Sequence, residues 1–74
     1  MRISELQDKN VINMSNGKNI GRITDLEINE EGKIINFYVI QRKLFKFFSS
    51  NQESLFTIKD INKIGEDVIL VNIE

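Results

Sequence analysis

The chain contains no cysteine, no histidine, no proline and no tryptophan among its 74 residues. The missing cysteine rules out disulfides, and the joint lack of cysteine and histidine removes the usual zinc ligands. The same two gaps remove ordinary nucleophile pairs, because a serine or cysteine nucleophile needs a positioned base, most often histidine. Without proline the turns rest on glycine, asparagine and aspartate, and the glycines are Gly17, Gly21, Gly32 and Gly65. No apolar stretch approaches the roughly 20 residues that cross a bilayer. The longest are strand-length pieces such as Val68-Ile69-Leu70-Val71. The amino terminus carries no basic segment followed by an apolar run, so no secretory signal is read there and the expected compartment is the cytoplasm.

What is present describes one small globular domain spanning residues 1–74, with 41% hydrophobic and 28% charged residues. A domain of this size buries only about 60% of the surface its unfolded chain exposes, which leaves a thin stability margin. With disulfides and zinc excluded, homodimerisation is the remaining supplement to the core. The net charge of -1 hides an asymmetry. From Gly32 to Gln52 there is no acidic residue, whereas Lys33, Arg42, Lys43 and Lys46 are basic.

The order of elements reads as a short helical turn followed by a β-meander. Ser4-Glu5-Leu6-Gln7 matches a capping box, predicting a helical turn within Arg2 to Lys9. Asn10 to Met14 forms a first strand, and Asn16-Gly17 predicts a type I′ hairpin turn into the second. In that second strand Ile23 is out of step with Leu26 and Ile28, since strict alternation would send them to opposite faces. A β-bulge at Thr24-Asp25 would bring all three onto one face and curl the sheet. The third strand, Lys33 to Ile40, is apolar on both faces, which suits a central strand. Leu55, Phe56 and Ile58 belong to a fourth strand; Asn62-Lys63-Ile64 and the Gly65-Glu66-Asp67 turn lead to a last one, Val68 to Ile73.

Little in the chain points to catalysis. The closest carboxylates are Asp25 with Glu27, Glu30 with Glu31, and Glu66 with Asp67. Turn or outward-facing strand positions account for each pair without acid–base or metal chemistry. Gly17 to Gly21 lacks the spacing of a phosphate loop, and a strand follows it where such loops aim a helix N-terminus at the anion. No catalytic residue, cofactor or metal is assigned, and a non-enzyme is expected.

One segment has functional content. Arg42, Lys43, Phe45, Lys46, Phe47 and Phe48 interleave cations with aromatic rings. Such a pattern can hold phosphates while rings stack on bases, lie on an anionic membrane, or form a protein or dimer contact. The alternative is that some of these rings close one end of the sheet while the cations stay in water.

Three blocks of sequence resemble one family. They are Arg2-Ile3-Ser4-Glu5-Leu6, the run Gly17 to Ile28 with Gly32-Lys33-Ile34, and Ile61 to Val71. Together they are similar to the YlmC/YmxH sporulation family of the PRC-barrel group. The resemblance implies an all-β fold, a small PRC-barrel of about six antiparallel strands with a short N-terminal helical turn. The group includes the C-terminal domain of the ribosome maturation factor RimM and the cytoplasmic domain of the photosynthetic reaction-centre H subunit, which bind other macromolecules. It implies an adaptor or protein-interaction module in sporulation with protein partners, and RNA or ribosome association as the alternative; it brings no catalytic residues. Arg42 to Glu53 departs from the family's pattern in having no glycine, and Thr57-Ile58 stand where the family often has Pro-Trp.

Overall fold

The computed structural model describes residues 1–41 and 52–73. A five-residue helix, α1 (Ile3–Gln7), precedes six strands: β1 (Asn10–Asn13), β2 (Lys18–Ile28), β3 (Ile34–Gln41), β4 (Gln52–Phe56), β5 (Ile61–Ile64) and β6 (Val68–Val71). They form one sheet in the order β4-β3-β2-β1-β6-β5. Among the described residues no ladder joins β4 to β5, so the barrel seam is open there.

Five of the six strands supply the buried apolar core: Val11 from β1, Ile23 from β2, Phe37 and Val39 from β3, Phe56 from β4, and Ile69 and Val71 from β6. The Phe37 and Phe56 rings stack with centroids 5.1 Å apart and planes 16° apart. They stack because their strands pair in register, Phe37 opposite Phe56. Leu6 of α1 packs against this cluster from outside.

The expected bulge is present. Ile23 opposes Val39 and Asp25 opposes Tyr38, leaving Thr24 as the extra residue, and its hydroxyl donates to the Tyr38 carbonyl. Ile23 and Leu26 thereby share the inner face. Ile28 does not join them: a second register shift at Glu27/Ile28 leaves it 56% exposed. A third shift, between β1 and β2, makes Ile20 an unpaired residue between Asn19 and Gly21.

Three local expectations are corrected. Gly17 has a positive φ of 70° but Asn16 does not, so the turn is not type I′. It is a four-residue loop closed by the Asn13–Lys18 pair, with Gly17 N–H donating to the Asn13 carbonyl and Lys18 N–H to Asn16 Oδ1. The helix starts after Arg2 without a side-chain cap, which puts Ser4 inside it. Ser4 makes no cap hydrogen bond there, and Leu6 is the helix residue that packs on the core. Gly21 lies within β2, not in a turn.

One pair of strands is parallel, β1 beside β6, where an all-antiparallel sheet is expected. Its cause is the connection after β4. A 3₁₀ turn at Ile58–Asp60 replaces a hairpin, so β5 continues in the sense of β4 and β6 returns parallel to β1. The Asp60 carboxylate holds that turn, accepting from Thr57 N at 2.9 Å and Thr57 Oγ1 at 3.2 Å.

Asn13 clamps the parallel seam. Buried at the end of β1, it donates Nδ2 to the Ile73 carbonyl at 3.0 Å, and its Oδ1 accepts from Ile73 N at 3.1 Å. Asn13→Ala leaves both backbone groups of Ile73 without this partner and should cost about 1–3 kcal/mol. Urea denaturation measures it, and amide exchange at Ile73 and Val71 should accelerate before exchange at Val39.

Candidate functional site

The register of β2, β3 and β4 builds an outer face opposite the core. Arg22, Ile40 and Glu53 lie in one cross-strand row; Asp25, Tyr38 and Leu55 lie in the next; Glu27 and Asn36 lie in the third. Tyr38 and Ile40 are half-buried, whereas Leu55 is 52% exposed. An aromatic ring and two aliphatic side chains thus sit among three carboxylates and one guanidinium, that of Arg22. This arrangement can hold an apolar group and a cation side by side.

Glu27 and Tyr38 are tied together. Glu27 Oε1 accepts from Asn36 Nδ2 at 2.8 Å and from the Tyr38 hydroxyl at 3.1 Å. The Asn36 bond, and then the Tyr38 bond, hold the Glu27 carboxyl below its ordinary value of 4.5. The Tyr38 hydroxyl is pushed above 10.0, chiefly by its bond to Glu27 and that residue's charge, with burial and then the Glu53 and Asp25 charges adding to the effect. The signs follow. A depressed carboxylate adds stability above its unfolded pKa and loses it as pH falls through the folded value; a raised tyrosine adds stability below its unfolded pKa and loses it as pH rises through the folded value. Carbon-13 NMR titration should find the Glu27 midpoint rising toward 4.5 in both Asn36→Ala and Tyr38→Phe, with the larger rise in Asn36→Ala.

Asp25 and Glu31 have local partners for their carboxylates. Asp25 Oδ1 accepts from Leu26 N at 2.8 Å, and Glu31 lies 3.8 Å from Lys33 in the exposed β2–β3 turn. The Glu66 backbone carbonyl accepts from the buried Lys9 ammonium. Among the described residues no group of three or more carboxylates is placed to hold a metal ion. A polar groove of about 580 Å³ runs between α1 and the bend of β2, lined by Gln7, Asn10, Asn19, Arg22 and Gln41 among others.

This curled sheet and its connections agree with what the whole sequence matches. Residues 1–74 match the PRC-barrel domain. The chain belongs to the PRC-barrel family. This PRC-barrel is 42% identical over 73 residues to the probable sporulation protein YlmC of Bacillus subtilis (strain 168), an alignment covering 96% of this chain and 90% of that protein. It is 38% identical over 71 residues to an uncharacterised protein of Clostridium acetobutylicum, covering 95% of this chain and 82% of that one. It is 32% identical over 76 residues to the uncharacterised protein YmxH of Bacillus subtilis (strain 168), with coverage of 99% and 89%. The YlmC/YmxH resemblance read from the sequence holds over nearly the full length of the PRC-barrel.

The candidate contact residues Arg42, Lys43, Phe45, Lys46, Phe47 and Phe48 lie outside the described residues. So does the alternative in which their rings close one end of the sheet. The structure instead brings together Asp25, Glu27, Tyr38, Glu53 and Leu55, a set that sequence reading did not single out. Its signal was available in part: Asp25 and Glu27 were outward positions of a bulged strand, whereas Tyr38 and Leu55 join them only through strand pairing.

Proposed function

We propose that this PRC-barrel is a cytoplasmic, non-enzymatic protein-interaction module of sporulation that holds its partner on the outer face of β2, β3 and β4. The observation that carries this reading is the face itself, where Leu55, at 52% exposure, adjoins Tyr38 amid carboxylates. Exposed apolar and aromatic side chains with a polar rim are how protein interfaces are built. The hydrogen bonds of Asp25 and Glu27 support a structural use of the chain's most closely spaced strand carboxylates. The sporulation assignment rests on the name of the 42% identical relative.

Capture from sporulating cells tests the surface. Wild type should retain polypeptides that the Tyr38→Ala, Leu55→Ser double variant loses. If that variant retains every partner of wild type, the face is not the binding surface. Phe47→Ala with Phe48→Ala, run in parallel, reports on the aromatic segment by the same criterion.

Association with RNA or the ribosome is the second reading, favoured by Arg42, Lys43 and Lys46 interleaved with phenylalanines and by the family likeness to RimM. The outer face opposes it, since Asp25, Glu27 and Glu53 outnumber Arg22 there and would repel phosphates. Phosphate contacts are strongest at low salt, so an RNA binder must retain RNA or ribosomal material there. Retention of none under those conditions removes this reading.

A further inference from the structure

We infer that the polar groove between α1 and the bend of β2 binds the C-terminal carboxylate of a partner polypeptide, with Arg22 gripping the carboxylate and carboxamides gripping the main chain before it. The inference rests on the reading that the adjoining outer face binds protein, and it names the part of the partner that is held. Arg22 and Ile40 line the groove and also form a row of that face with Glu53. The chemistry of the walls carries the assignment. Gln7, Asn10, Asn19 and Gln41 supply four carboxamides, Thr24 a hydroxyl, and Arg22 the single charge. Among the described residues that line the groove none is acidic. Its volume of about 580 Å³ falls within the range of small-ligand sites, enough for a short chain end.

Among the described residues Arg22 has no carboxylate within ion-pair distance. Its planar fork of donors is therefore open to a carboxylate, which it matches with two parallel hydrogen bonds. Glu53 stands in the same cross-strand row but two strands away, and Asp25 stands in the next row. These charges disfavour a doubly charged phosphate more than a singly charged carboxylate, and one guanidinium neutralises only one charge. The carboxamides suit main chain because each repeats the C=O and N–H of a peptide unit. Two of them are held in place: Asn19 Oδ1 accepts from Gly21 N at 2.8 Å, and Asn19 Nδ2 donates to Asn10 Oδ1 at 3.3 Å. The Asn10 amide hydrogens are left for a peptide carbonyl, while the exposed Gln7 and Gln41 each bring a donor and an acceptor. At a chain end the carboxylate continues the main chain, so one run of backbone meets both the carboxamides and the guanidinium. An internal acidic side chain stands off its backbone and meets only one of them.

Nitrogen-15 NMR titration with acetyl-trialanine tests the groove, against three comparisons: the same peptide with an amidated C-terminus, an amidated acetyl-tripeptide with aspartate in the middle, and inorganic phosphate. The acid should shift Arg22 Nε–H and the side-chain amides of Gln7, Asn10, Asn19 and Gln41. It should bind roughly 10- to 100-fold more tightly than its amide, which lacks the charge-assisted pair. Arg22→Gln should abolish that preference and leave acid and amide equal. Gln7→Ala with Gln41→Ala should weaken both peptides by the same factor and keep the preference. All three positions are exposed, so the variants should fold, as their spectra verify. No shift with the acid overturns the inference, as does an acid that binds no tighter than its amide or than the aspartate peptide. Phosphate that occupies the groove as tightly as the acid also overturns it. The outcome is separable from that for the face: capture lost in Tyr38→Ala, Leu55→Ser with no peptide shift removes the groove and leaves the face, and a peptide shift with unchanged capture does the reverse.

Discussion

Gly21→Ala is expected to lower stability by about 2–5 kcal/mol, combining roughly 1–2 for an alanine at positive φ with roughly 1–3 for overpacking. Gly21 has φ 117°, and a Cβ placed there would lie 2.2 Å from the Ile40 carbonyl oxygen and 2.6 Å from its carbon. Both contacts are with the backbone of the neighbouring strand, which cannot rotate away as a side chain would. β2 and β3 must part to admit one methyl group. For a domain this small each kcal/mol moves the midpoint of melting by about 4–8 °C, so the loss should exceed about 8 °C. Gly32→Ala supplies the comparison: φ is 81°, but nothing lies within 4 Å of its added Cβ. It should cost only the roughly 1–2 kcal/mol of backbone strain. Equal melting points for the two variants would mean that β2 and β3 are not in close contact at Gly21.

Phe56→Ala should be comparably severe. A buried phenylalanine truncated to alanine costs about 3–5 kcal/mol through lost burial and the cavity that remains. Against a total of roughly 4–11 kcal/mol for a chain of this length, that is between a quarter of the stability and all of it. Phe56 is 1% exposed and stacks on Phe37, and it is the only buried apolar residue that β4 contributes among the described residues. Loss of its ring should therefore detach β4 from the sheet before the rest unfolds. Chemical denaturation followed by amide exchange separates the two events: exchange at Ser54 and Leu55 should rise most, with Val11 and Ile69 protected until global unfolding. Uniform exchange across all strands would show that β4 does not open separately.

The sequence made some of these features legible and hid others for physical reasons. The bulge at Thr24 was readable because its flanks differ in polarity, so a parity fault between Ile23 and Leu26 stood out. The shifts at Ile20 and near Ile35 were not, because Ile20 lies beside Gly21 and Ile35 lies in an apolar run where either parity looks acceptable. The parallel β1–β6 pair joins residues 10–13 to residues 68–71, a contact no local hairpin signal can report. One clue to it was present. Thr57-Ile58-Lys59-Asp60 has the same threonine- or serine-first, acid- or amide-last pattern that was read at Ser4 to Gln7, and the structure uses it only at Asp60.

The outer face was half legible. Asp25 and Glu27 could be assigned to the solvent side from the bulge alone, whereas Tyr38 and Leu55 join them only through the pairing of three strands. Arg42, Lys43 and Lys46 were visible as charge with no indication of what they meet.

Whether this PRC-barrel acts by binding protein is decided by capture from sporulating cells with and without ribonuclease digestion, comparing wild type with the Tyr38→Ala, Leu55→Ser variant. The expected result is a set of polypeptides, or a second copy of the chain, that survives digestion on wild type and is lost from the variant. Retention of nucleic acid alone, with every co-captured polypeptide released by ribonuclease, would contradict it.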